Sequence, residues 1–150
     1  MTKKVITLKE KDTLKTAVER FAKYGISGIP VVRGERPVGI VTEADIIKTI
    51  DAYSPEVHYD SEGAFAVILA VLRHKKGIEG IRKDVVGSKE MHVKDFMTKK
   101  VIPIGPEKTV MEAANLMHKN NVIRLPVVKG GKLVGIIARG DIIRALGKKK

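Results

Sequence analysis

The sequence contains no cysteine, only three tyrosines and three phenylalanines, and 17 acidic residues against 29 lysines and arginines. Each shortage excludes something. Without cysteine there is no disulfide, no thiolate metal site and no cysteine nucleophile, a composition that suits a reducing cytosol. So few rings, with no basic segment interleaved among them, leave little for stacking nucleic-acid bases. The shortage of acid leaves a net charge of +12 over 150 residues. That charge attracts polyanions from nucleotides to nucleic acid, and it equally fits a solvated surface on a charge-rich protein. Long apolar runs are missing too. The longest, Ala64 to Leu72, gives way to Arg73, His74, Lys75 and Lys76 and falls far short of the roughly 20 residues that cross a bilayer. Met-Thr-Lys-Lys-Val at the start leads into amphipathic sequence, without the apolar stretch and small-residue cleavage site of a secretory signal. A soluble, cytoplasmic protein with no membrane association is expected.

Chemistry-bearing clusters are equally scarce. His58, His74, His92 and His118 share no metal-ligand spacing. No ordering of Ser, His and Asp stands out, and Gly130-Gly131-Lys132 lacks the spacing of a phosphate loop and sits between two strands as a hairpin turn. Neither a metal site nor enzyme activity is expected.

What the chain does have is a repeat. Residues 1–50 lie on 97–146 at a constant offset without a gap, and about 19 of the 50 paired positions are identical. Both copies open with Met-Thr-Lys-Lys-Val-Ile, carry Pro-Val-Val (Pro30 to Val32, Pro126 to Val128), then Val-Gly-Ile, and close on Asp-Ile-Ile at Asp45 and Asp141. Units of roughly 50 residues are marginal alone, so the copies are expected to bury a face against each other. Each reads as strand, helix, strand, strand, helix. Val5 to Leu8 is β-prone; Asp12 or Thr13 can cap a helix carrying Leu14, Ala17, Val18 and Phe21. In the second copy Thr109 and Glu112 have capping-box spacing ahead of Val110, Ala113, Ala114 and Met117. Ile29 to Val32 and Val38 to Val41 read as a hairpin, matched by Leu125 to Val128 and Leu133 to Ile137, and closing helices start near Glu43 and Arg139. Residues 51–96 are too long for a simple connection. Glu62 to His74 has helical spacing at Phe65, Ile68, Leu69 and Leu72, and Lys75 to His92 reads as an irregular connector. Residues 147–150 form a basic tail.

Val93-Lys94-Asp95-Phe96-Met97-Thr98, the Pro-Val-Val strands and Val38 to Ile47, taken twice in one order, resemble the tandem cystathionine-β-synthase (CBS) domain pair, or Bateman module. The resemblance covers about two-thirds of the chain. It implies an α+β fold of two β-α-β-β-α repeats related by a pseudo-two-fold axis, here with an extra helical connector. It also implies dimerisation into a disc and clefts that bind adenosine-containing ligands, in modules that regulate something else.

Gly39-Ile-Val-Thr42-Glu-Ala-Asp45 looks like the family's nucleotide motif. A glycine inside a strand lets another group approach the backbone, and the following helix N-terminus favours phosphate, with the Thr42 hydroxyl as a further donor. In family members the carboxylate at the position of Asp45 accepts hydrogen bonds from the ribose hydroxyls. Thr42-x-x-Asp45 is also capping-box spacing, an ordinary way to start a helix. The base side of this first site resembles Val5, Ile6 and Thr7 with Ser27, Gly28 and Ile29; the alternative for Ile29 is the core. The second copy reads Gly135-Ile-Ile-Ala138-Arg139-Gly140-Asp141, retaining the carboxylate and losing the hydroxyl. By the same resemblance its site would comprise Ile102, Pro103, Ile123, Arg124, Leu125, Gly135, Arg139 and Asp141, with Arg139 or Arg124 substituting charge for the hydroxyl. Unequal sites are expected. The resulting expectation is a regulatory sensor that needs no cofactor and binds AMP, ADP or ATP, with S-adenosylmethionine as a further ligand. It signals as a homodimer to a regulated protein the sequence does not identify. A nucleic-acid-binding protein using the basic surface is the alternative, and a dimerisation unit with empty clefts is a third reading.

Overall fold

Helix α1 (Leu14–Tyr24) starts where Thr13 Oγ1 accepts the Thr16 N–H at 3.2 Å, and it stops at Gly25, whose N–H donates to the Phe21 carbonyl. Its apolar stripe buries Leu14, Ala17 and Phe21. The computed structural model that shows this describes residues 1–53 and 91–148. Strand β1 is Leu8–Lys9, β2 is Gly28–Arg33 and β3 is Arg36–Thr42. Strand β1 runs parallel to β2, and β2 is antiparallel to β3. Helix α2 (Glu43–Tyr53) follows directly, and α3 (Val93–Phe96) leads into the second copy. There α4 (Val110–Asn120), β4 (Arg124–Lys129), β5 (Lys132–Ala138) and α5 (Arg139–Gly147) repeat the order, with Ile104 bridging Val127 where β1 pairs in the first copy. The result is the expected α+β fold in two β-α-β-β-α repeats. The helix read at Glu62 to His74, most of the connector and the last two lysines lie outside the described residues.

The first strand differs from expectation: pairing begins at Leu8 rather than Val5. The preceding chain is committed elsewhere. Thr2 exchanges two backbone hydrogen bonds with Ile136 on β5, at 3.0 and 3.1 Å, and Thr98 exchanges two with Ile40 on β3, both at 2.9 Å. Each repeat therefore lends its opening residues to the open edge of the other's sheet, and the two loans are equivalent under the 96-residue offset. A glycine lies beneath each crossing. A Cβ on Gly39 would sit 2.6 Å from Met97 Sδ and 3.1 Å from the Thr98 carbonyl; one on Gly135 would sit 2.7 Å from Met1 Sδ and 3.2 Å from the Thr2 carbonyl.

The two cores are also copies. Buried Leu8, Ala17, Phe21, Ile29, Val31 and Ile46 correspond by offset to buried Ile104, Ala113, Met117, Leu125, Val127 and Ile142. The first core is larger because the segment before the second copy belongs to it. Val93 is fully buried there, the Leu14 N–H donates to the Met91 carbonyl at 2.9 Å and the Val93 N–H to Asp12 at 2.8 Å. Further contacts join the hairpin tips: Leu133 N–H donates to the Glu35 carbonyl at 2.8 Å and Lys132 pairs with the Glu35 carboxylate at 2.6 Å.

Candidate functional site

A cleft of about 390 Å³ opens between the repeats. From the first copy it takes Ser27, Ile40 and the start of α2 at Thr42, Glu43 and Ala44; from the second it takes Thr98, Lys100 to Ile102, Asn121 to Arg124, and Pro126. One wall is thus the apolar edge leading into β4, and the other is a helix N-terminus. Cavities of this size with convergent polar groups are where small ligands bind.

Arg124 is the best-placed polar residue. It is only 8% exposed and lines the cleft, and its Nη2 donates to Ser27 Oγ across the repeat boundary. Its side chain lies over Gly28, where a Cβ would come within 2.6 Å of the guanidinium carbon. Gly28 and Arg124 are offset partners, so one copy supplies the space that the other copy's side chain fills. Desolvation lowers the pKa of Arg124 and raises that of Glu43, and their mutual attraction only partly offsets either effect. An acid and a base therefore share the cleft, each short of compensating charge.

The other expected residues are distributed as follows. Thr42 and Ser27 line the cleft, as do Ile102, Ile123 and Arg124. Residues expected in two separate sites thus meet in one cavity. Asp45 is half-buried beside it: Oδ2 accepts from the Thr42 N–H at 2.8 Å and the Thr42 hydroxyl at 3.0 Å, while Oδ1 accepts from Thr98 Oγ1 at 3.1 Å. The capping role read from its spacing is fulfilled. Glu43 N–H donates to the Ser27 carbonyl and Asp45 N–H to Thr42 Oγ1, leaving the Ala44 N–H of this first turn without a partner among the described residues. Gly39 and Gly135 do admit a close neighbour, and that neighbour is the exchanged segment. Val5, Ile6 and Thr7 lie outside the cleft lining; Ile6 packs on the first core, and the Thr7 carbonyl accepts from Arg20. Gly28 lies beneath Arg124, and Ile29 and Leu125 are fully buried in the two cores. Pro103 is exposed away from the cleft. Arg139 is exposed, its N–H donating to Ile123 at 2.8 Å. Asp141 accepts from the Ala138 N–H at 2.8 Å and pairs with Arg144. Desolvation of Asp141 is outweighed by these bonds and nearby positive charge, so its carboxyl titrates below its ordinary range.

Sequence reasoning did not single out Ile40, Glu43, Ala44, Thr98, Lys100, Val101, Asn121 or Pro126 as cleft residues. The signal for Thr98 and Lys100 was the duplicated Met-Thr-Lys-Lys, which marks a crossing segment only once the exchange is seen. Among the described residues there is no cluster of metal-ligating side chains and no helix long and apolar enough to cross a membrane.

Two duplicated α+β units that share their sheet edges and enclose a polar-rimmed cleft define a paired module. The CBS domain profile matches residues 1–52 and 93–148, and the chain belongs to the CBS domain family as a tandem pair. It is 39% identical over 146 residues to the uncharacterized protein MJ1426 of Methanocaldococcus jannaschii, covering 96% of this chain and 87% of that one. It is 30% identical over 139 residues to the inosine-5'-monophosphate dehydrogenase of Korarchaeum cryptofilum, covering 92% of this chain but only 21% of the enzyme. Among solved structures, CBSX2 in complex with AMP superposes with a TM-score of 0.68 at 25% identity, covering 98% and 92% of the two chains. The CBS domain pair of protein MJ0100, crystallised with 5'-methylthioadenosine and S-adenosyl-L-methionine, gives 0.66 at 24%, covering 97% and 94%.

Proposed function

We propose that the chain is a regulatory module that binds an adenine nucleotide in the inter-repeat cleft and passes its occupancy to a partner protein through the packing of the two repeats. The carrying observation is the meeting, in one cavity, of the apolar strand edge Val122–Ile123, the α2 N-terminus and buried Arg124. The first suits a base, and the other two suit a phosphate. A related pair that holds AMP supports the same ligand class. Arg124 supplies the link from ligand to packing: a phosphate that takes its N–H donors competes with Ser27 on the other repeat. For regulation the ligand must favour one arrangement of the repeats over another. A homodimer in the cytoplasm is the expected form of the working module.

Isothermal titration calorimetry against AMP, ADP, ATP and S-adenosylmethionine tests this, with Asp45→Ala and Arg124→Ala alongside and thermal melts to confirm folding. Charged hydrogen bonds of the kind at stake contribute about 1.5–3 kcal/mol each. Arg124→Ala in a folded protein is therefore expected to weaken nucleotide binding at least about tenfold, and Asp45→Ala to weaken it by disturbing the α2 N-terminus that it caps. Silence from every ligand would refute the reading and favour a polyanion held by exposed lysines such as Lys3, Lys4 and Lys99.

A further inference from the structure

Glu43 is an unexpected residue to find at a phosphate-binding helix start. It occupies the first position of α2, is half-buried, lines the cleft, and shares it with Arg124 and Lys100. Among the described residues, the positive groups facing a ligand there are Arg124, exposed Lys100 and the partial charge of the helix N-terminus, and the one carboxylate in the lining is Glu43. The neighbouring acid, Asp45, has its oxygens engaged by Thr42 and Thr98. Two cations opposed by one anion match a single phosphate. The β- and γ-phosphoryl groups of a triphosphate add about two further negative charges to the same confined volume.

The second repeat makes the opposite choice. Arg139 stands at the equivalent place, and its backbone is held the same way: Arg139 N–H donates to Ile123 at 2.8 Å as Glu43 N–H donates to Ser27 at 3.4 Å. At this position, then, the sequence reverses the charge while the backbone arrangement is kept, which separates a ligand-facing choice from a folding requirement.

Building on the nucleotide reading above, we propose that Glu43 is the specificity-determining residue of the cleft, admitting an adenosine monophosphate and disfavouring the triphosphate by repulsion of its outer phosphoryl groups.

The test is a charge series at one position. The full-length parent, Glu43→Gln and Glu43→Arg are titrated with adenosine, AMP and ATP in magnesium-free buffer. Each step is expected to tighten ATP by about three- to tenfold, AMP by less than about twofold, and adenosine not at all. The ATP-to-AMP affinity ratio should therefore climb from Glu to Gln to Arg, and the gain should shrink in high salt. A ratio unchanged across the series, with AMP still bound, overturns the assignment of Glu43 and leaves the nucleotide reading standing. Failure of adenosine, AMP and ATP to bind any of the three folded proteins overturns both.

Discussion

At single positions the two copies show what a residue is for, because each residue of one repeat has an offset partner in the other. Gly39 and Gly135 agree, and both lie under the sulfur of a methionine from the other repeat. Gly39→Ala forces Met97 and the Thr98 carbonyl outward, an overpacking expected to cost about 1–3 kcal/mol in urea denaturation. Asp141 shows a different economy. Its carboxyl is held below the ordinary aspartate range, so the folded state gains stability from its ionised form above the unfolded pKa near about 3.9. That gain fades as pH falls through the lowered folded value. Asp141→Asn is accordingly expected to cost about 0.5–1 kcal/mol at pH 7. The melting curves of parent and variant should converge on acidification below the aspartate range, and a gap that persists there would mean the residue acts by shape alone. The role of Asp45 as a cap was legible from Thr42-x-x-Asp45. Its bond to Thr98 was not, because no local pattern specifies a contact between residues 53 positions apart.

At the scale of elements, the parts governed by local chemistry were readable and the parts governed by exchange were not. Helix α4 begins where Thr109 and Glu112 predicted: Thr109 N–H donates to the Glu112 carboxylate at 2.8 Å and Glu112 N–H to Thr109 Oγ1 at 3.1 Å. Thr109→Ala should lower stability by about 0.5–2 kcal/mol, read as a drop in the urea midpoint with an unchanged slope. Both hairpins appeared at their expected places, extended by a residue or more at each end. Strand β1 takes only Leu8 from the β-prone run Val5 to Leu8, because such a run says that a segment suits a sheet and not which of its residues finds a partner strand. Helix α3 was read as the end of a connector, yet Val93 completes the first core and the Met91 carbonyl meets the first N–H of α1. Among the described residues the corresponding surface of the second repeat has no such cover: Val110, the offset partner of Leu14, is 37% exposed against 2%, and Met111, Ile143 and Leu146 are exposed as well. The cleft was anticipated in kind from a family resemblance. That residues assigned to two separate sites share one cavity was not, because it depends on the crossing of the chain.

For the whole molecule, neither repeat is self-sufficient. Residues 1–53 made alone would lack Val93 in the core and Thr98 on the edge of β3, and circular dichroism is expected to show them largely unfolded. Addition of a second fragment spanning 91–148 should restore structure, while an independently folded first fragment would refute the interdependence.

Reciprocal loans of the same segment are the geometry of an isologous pair, in which two identical chains would complete one another across a two-fold axis. Here both halves are written in one chain, and that has a genetic consequence. In a pair of identical chains any substitution appears twice, so an arginine could not be placed opposite a glycine without also being placed opposite itself. Once the halves are encoded separately, Gly28 can face Arg124 and Glu43 can stand where its counterpart is Arg139. Joining the copies preserved the symmetry of the backbone and released the side chains from it, and only in that state can the two repeats present different side chains at equivalent positions.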